Sequence, residues 1–133
     1  GAAGWDWVGL NLADGGALMA FRMRDSKGGT YWAGGTHRDG AGRMRVFRPD
    51  EIAFTPLRRW HSPRTQAGYP VAMRIRAGTM ELVLEPSMDD QELDSRASTG
   101  TIYWEGAVRA RDGARPAGQG YLELTGYWKP LRL

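Results

Sequence analysis

The side chains best suited to moving a proton in this 133-residue chain are two glutamates set in aromatic-rich segments. Glu105 lies in Thr101-Ile102-Tyr103-Trp104-Glu105-Gly106-Ala107-Val108, and Glu123 in Gly120-Tyr121-Leu122-Glu123-Leu124-Thr125-Gly126-Tyr127. Period-two geometry puts Tyr103 and Glu105 on one face, with Ile102, Trp104 and Val108 on the other. The same geometry sets Tyr121, Glu123, Thr125 and Tyr127 against Leu122, Leu124 and Trp128. Near the N-terminus, Trp5, Trp7 and Asn11 alternate with Asp6, Val8, Leu10 and Leu12. A carboxyl group against aromatic walls has its pKa raised by desolvation, which fits it to donate a proton near neutral pH. Glu105 and Glu123 are therefore the candidate catalytic carboxylates. Trp5, Trp7, Trp60, Tyr103, Tyr121 and Tyr127 are the candidate ligand contacts. Two orientations remain open: the aliphatic set fills a core while the aromatic and acidic set covers the surface, or the latter lines a concave site.

Other clusters carry less. His61 and Ser62 are adjacent in the segment 58–65, and neighbours in a chain seldom present a nucleophile and its base to each other, so a solvent-facing turn is expected there. His37 and His61 are the only histidines and share no metal-ligand spacing, and no cysteine is present, so no metal or other cofactor is expected. Asp89, Asp90, Glu92 and Asp94 lack the glycine and terminal glutamate of a calcium-binding loop. Met19, Met23 and Met73 have strand-like spacing and are expected to pack a core.

The elements that must position these residues are strands. Gly and Pro fall mostly between short alternating segments, which is the punctuation of hairpins. The expected strands are 4–12, 17–25, 31–38, 43–47, 51–60, 70–77, 79–85, 101–111 and 118–128. Asp14-Gly15, Asp39-Gly40 and Asp112-Gly113 supply tight turns, so consecutive strands should pair antiparallel. Segments 43–47 and 51–60 read as one strand broken at Pro49, which leaves eight. Eight strands at hairpin spacing close a barrel or stack as a sandwich, and the barrel disposes of unpaired edges. Residues 86–100 do not alternate and read as a long loop or a helical turn, with Asp90, Gln91 and Glu92 as loop site candidates.

Composition bounds the function class. The length suits one domain, residues 1–133, with one core. No apolar run approaches the ~20 residues of a membrane-spanning helix, so no membrane span is expected. The net charge is +3, but the arginines are scattered from Arg22 to Arg132 and form no basic stripe, so no nucleic-acid partner is expected. Gly1 to Gly4 run straight into Trp5, so the segment itself shows no signal peptide.

The blocks Gly4-Trp5-Asp6-Trp7-Val8-Gly9-Leu10, Trp60-His61-Ser62-Pro63 with Tyr69-Pro70, Asp89-Asp90-Gln91-Glu92-Leu93, Tyr103 to Val108 and Gly120 to Tyr127 together resemble the lipocalin-like family of bacterial secreted hydrolases. That family is similar to the carotenoid 1,2-hydratases, or hydroxyneurosporene synthases. The resemblance implies an all-β, antiparallel, eight-stranded lipocalin-like barrel. It further implies that the chain corresponds to the C-terminal half of a two-domain protein, with an N-terminal lipocalin-like half as partner and a periplasmic or secreted location. The implied function is handling of an apolar small molecule, as part of a hydratase or other cofactor-free lyase or isomerase, with a noncatalytic lipid or isoprenoid-binding module as the alternative. Hydration needs carbon protonation and capture of the cation by water, which carboxyl and aromatic groups suit better than they suit ester hydrolysis.

Overall fold

The computed structural model describes residues 1–132. Alternating residues produce alternating burial from the first strand onward: Asp6, Val8 and Leu10 of β1 (Gly4–Leu12) are buried, whereas Trp5, Trp7 and Gly9 between them are half-buried. The remaining strands are β2 (Ala17–Arg24), β3 (Thr30–Arg38), β4 (Met44–Phe47), β5 (Ile52–His61), β6 (Gly68–Ala77), β7 (Met80–Pro86), β8 (Glu92–Ser95), β9 (Thr101–Asp112) and β10 (Arg115–Thr125). All pairings are antiparallel, and the order across the sheet is β4-β3-β2-β1-β10-β9-β7-β6-β5, with β8 on the free part of β9. The all-β antiparallel architecture expected from the sequence is what the chain adopts.

Three details differ from the expectation. Among the described residues the strands number ten, not eight. Segments 43–47 and 51–60 are not one interrupted strand: Pro49–Glu51 forms a 3-10 turn that carries the chain from β4 at one end of the sheet to β5 at the other. Residues 86–100 contain the short strand β8, so this stretch is neither loop throughout nor helical. The sheet curls until β5 lies against β2 and β3, but no backbone ladder joins them. Arg22 of β2 reaches across this seam to the Phe54 ring, with its guanidinium carbon 5.9 Å from the centroid.

The aliphatic set faces inward. Val8, Leu10, Leu18, Met73, Ile75, Leu84, Val108, Leu122 and Leu124 fill the interior around Trp104, whose indole N–H donates to the Asp89 carbonyl at 2.7 Å. Of the three methionines expected to pack a core, Met73 does so; Met19 and Met23 lie half-buried on the outward parity of β2. Strands β1 and β10 approach so closely that a Cβ on Gly120 would overlap the Gly9 carbonyl oxygen. Glycine is obligatory at this tight bend of the sheet.

Candidate functional site

The registers line up outward-facing residues in rows across five or six strands. One row runs Leu93, Tyr103, Thr125, Trp5, Met23, Trp32 from β8 to β3. The next runs Glu105, Glu123, Trp7, Phe21, Gly34 from β9 to β3, and the third Ala107, Tyr121, Gly9, Met19, Thr36. The convex face of β9-β10-β1-β2-β3 is therefore an aromatic and thioether surface with one pair of carboxyl groups set into it.

Glu105 and Glu123 are directly opposite each other, so the strand pairing itself forces the two carboxyl groups together. The Trp5 indole Nε1–H donates to Glu123 Oε1 at 2.6 Å. Burial first, then the charge and hydrogen-bonding of Glu123, push the Glu105 carboxyl above the usual carboxylate range. An indole N–H can only donate, so Glu123 offers it an accepting oxygen. The Trp7 indole lies over Gly9, where a Cβ would sit 2.6 Å from a ring carbon. Tyr121 stands opposite Gly9 and is 48% exposed. The structure thus brings Glu105, Glu123, Trp5, Trp7, Tyr103 and Tyr121 onto one surface.

Trp60 and Tyr127 are elsewhere. They sit at one end of the barrel with Tyr69, which stacks on Trp60 with ring centroids 6.2 Å apart and tilts against Tyr127 at 6.0 Å. Below Tyr127 lies Asp6, fully buried, which accepts hydrogen bonds from Arg22 Nε at 2.6 Å, Arg24 Nη1 at 2.7 Å and the Tyr127 hydroxyl at 2.7 Å. Arg24 also donates to the Thr125 carbonyl at 2.5 Å and lies 3.9 Å over the Tyr127 ring. Burial and then the Asp6 charge raise the Tyr127 phenol above its ordinary value, so it remains a donor.

The loop candidates are structural anchors. Asp90 makes a two-pronged pair with Arg64 at 2.6 and 2.7 Å. The Gln91 amide imitates a strand: its Oε1 accepts from Ala107 N–H at 2.9 Å while its Nε2 donates to the Ala107 carbonyl at 3.1 Å. Its side chain occupies the space that a Cβ on Gly106 would need. Glu92 accepts hydrogen bonds from Ser62 Oγ at 2.6 Å, Thr65 Oγ1 at 2.6 Å and the Tyr69 hydroxyl at 2.7 Å. The expected solvent-facing turn around Ser62 is thus corrected in part, since Ser62 is buried and ties the β5-β6 turn to β8.

Desolvation raises the Glu92 pKa, but the three hydroxyl donors and Arg64 outweigh it and hold the carboxyl below the usual range. A depressed folded pKa contributes stability that is present above the unfolded value and lost as pH falls through the folded one. Glu92→Gln is expected to cost about 1–3 kcal/mol at pH 7, with the difference from wild type shrinking below roughly pH 4. Urea titrations at both pH values measure it; equal destabilisation at the two would show that the ionised carboxylate is not what holds this cluster.

The chain matches the AttH-like family over residues 1–127. It belongs to that family. The crystal structure of a candidate AttH from Nitrosomonas europaea is 56% identical and superposes with a TM-score of 0.91, covering 95% of this chain and 39% of the other. Kievitone hydratase from Nectria haematococca superposes with a TM-score of 0.72 at 21% identity, covering 96% of this chain and 40% of that one. At that identity the likeness is one of fold. This AttH-like chain therefore spans about two fifths of the length of either solved relative. No curated protein matches it.

Proposed function

We propose that the chain is the C-terminal, lipocalin-like half of a two-domain hydratase or related cofactor-free lyase, and that the outward face of β9-β10-β1 is its share of the reaction site. The observation that carries this reading is the directly opposed Glu105–Glu123 pair, with the Glu105 carboxyl pushed above its usual range and Glu123 held by Trp5. In the reaction, the Glu105 carboxylic acid delivers its proton to one carbon of an alkene. The carbocation formed on the other carbon lies against the electron-rich faces of Trp5 and Trp7. Water adds to that carbon and gives up a proton to the Glu123 carboxylate. Transfer of that proton to Glu105 restores the pair, so water and alkene become an alcohol with no cofactor consumed.

Three things support the reading beyond the geometry. The aromatic surface around the pair includes Trp32, 55% exposed, and Tyr121, and an apolar patch of this kind marks an interface. The solved relatives are more than twice as long as this chain, which offers an N-terminal half as the occupant that would close and desolvate the site. The name of kievitone hydratase and the resemblance to the carotenoid 1,2-hydratases both support hydration as the chemistry, with an unsaturated small molecule of largely apolar body as substrate.

The test is replacement of Glu105 or Glu123 by Gln in the full-length protein, followed by product formation from polyene substrates and a melting curve on the same preparation. A second reading, a noncatalytic module for apolar ligands, is favoured by a depression of about 430 Å³ at the opposite barrel end. Its floor is Leu12, Met80, Leu82 and Ala117, with Asp14, Asp112 and Arg115 at the edge. Wild-type turnover in both folded Gln variants would move the assignment there.

A further inference from the structure

Beyond the carboxyl pair, the outward face of β9-β10-β1 continues into a groove. Two adjoining depressions of about 650 and 680 Å³ share Asn11, Arg109 and Gln119. The registers place these three side chains in one row, Arg109 opposite Gln119 and Gln119 opposite Asn11. All three are exposed. Gly9, Gly118 and Gly120 line the two depressions. Gly120 cannot be replaced without displacing the Gly9 carbonyl, so the packing of β1 on β10 fixes this hollow.

The hydrogen-bonding groups of the row are uncommitted. Among the described residues, no carboxylate lies within ion-pair distance of Arg109, and the Asn11 and Gln119 amides have no hydrogen-bond partner. Glu85 is the residue directly opposite Arg109 on β7, yet it pairs with Arg111 at 3.3 Å. A guanidinium flanked by two amides is a donor set for an anionic group. Between this row and the carboxyl pair stand Tyr121 and the Trp7 indole lying over Gly9, which give an aromatic strip for an apolar stem.

We infer that the groove holds the anionic head, carboxylate or phosphate, of an amphipathic unsaturated substrate whose double bond lies over Glu105 and Glu123. This rests on the proton-transfer reading above and adds the class of molecule to it. Four residues of strand separate Glu105 from Arg109 and Glu123 from Gln119, so head and double bond are about 13 Å apart. The stem crosses Tyr121 and Trp7, and Arg109 sets which end of the molecule faces the acid.

Isothermal titration of the full-length protein with cis-9-octadecenoate, cis-9-octadecenyl phosphate and the methyl ester of the same acid tests this, each kept below its aggregation concentration. At least one anion is expected to bind roughly tenfold or more tightly than the ester, the scale of one charge-assisted contact. In Arg109→Gln that ratio should fall to about one, with an unchanged melting temperature because the side chain is exposed. Equal binding of anions and ester, failure of all three to bind, or a ratio that survives Arg109→Gln overturns the inference. The two readings fail separately. Loss of turnover in Glu105→Gln without preference for the anion removes only the head-group site. An Arg109-dependent preference with full turnover in Glu105→Gln removes only the proton transfer.

Discussion

Asp6→Asn is expected to lower the stability of the fold by about 3–5 kcal/mol. Asp6 is fully buried and accepts three hydrogen bonds, two of them from guanidinium groups whose side chains are 13% and 8% exposed. Asn keeps the shape but removes the charge, and its amide nitrogen turns one accepting position into a donor that faces Arg22 or Arg24. Two cations then share a buried site with no counter-charge. The Tyr127 hydroxyl competes for the one remaining acceptor, and Tyr127 anchors the segment after β10 to the barrel end. Urea unfolding followed by fluorescence measures the loss. A companion variant separates the charge effect from packing: Asp6→Leu combined with Arg22→Met and Arg24→Met removes the whole ionic cluster and should recover part of the stability, because replacing a buried ionic cluster by apolar groups costs less than orphaning its cations. A loss below about 1 kcal/mol for Asp6→Asn would mean that water reaches the cluster and screens it.

The alternation of residue types gave the strands and the composition of each face, because a strand's side chains must point to opposite sides. Within β1, β9 and β10 that parity is unbroken, and Trp5, Trp7, Tyr103, Glu105, Tyr121 and Glu123 fall on one surface as the spacing implies. Parity does not say which surface is inward; the choice is made by apolar volume, and Val8, Leu122, Leu124 and Trp104 win the interior. Trp60 and Tyr127 leave that surface for different reasons. Trp60 has the parity of the buried Ile52 and Phe54, and because the two register shifts around Arg58 cancel, it stands opposite buried Tyr69 and packs against the core. Gly126, at φ 87°, turns the chain before Tyr127 and sends that ring over the barrel end. Asp6 has the parity of a core position, and no local pattern announces that Arg22 and Arg24, from a neighbouring strand, complete its site. The β4 to β5 crossing was hidden for a related reason: Pro49 marks an interruption, but only long-range packing decides whether the chain resumes the same strand or moves to the far end of the sheet. The row Arg109, Gln119, Asn11 was within reach of period two, since each lies four residues from Glu105, Glu123 or Trp7 on its own strand.

The second large effect concerns Glu105. Glu105→Gln in the full-length protein is expected to lower turnover by roughly a hundredfold or more while leaving the melting temperature unchanged or slightly higher. The sign of the stability change follows from the shift. A carboxyl whose folded pKa is raised contributes stability that is present while it is protonated and lost as pH rises through the folded value. At neutral pH its ionised form is the strained one, next to Glu123 and partly out of water, so a neutral amide relieves the repulsion and does not orphan a partner. Activity should show the same titration from the other side: wild-type turnover falls as pH rises through the raised Glu105 pKa, and the residual turnover of Glu105→Gln lacks that limb. Glu123→Gln is distinguishable from it. That change removes the base that receives the proton from water and gives the Trp5 indole an amide that must rotate to accept, so turnover falls while the alkaline limb due to Glu105 persists at a lower pH, relieved of its charged neighbour. Product formation measured from pH 5 to 9 on both variants decides the matter. A pH profile in Glu105→Gln that overlays the wild type would show that the opposed carboxyl groups shape the surface without serving as the proton donor.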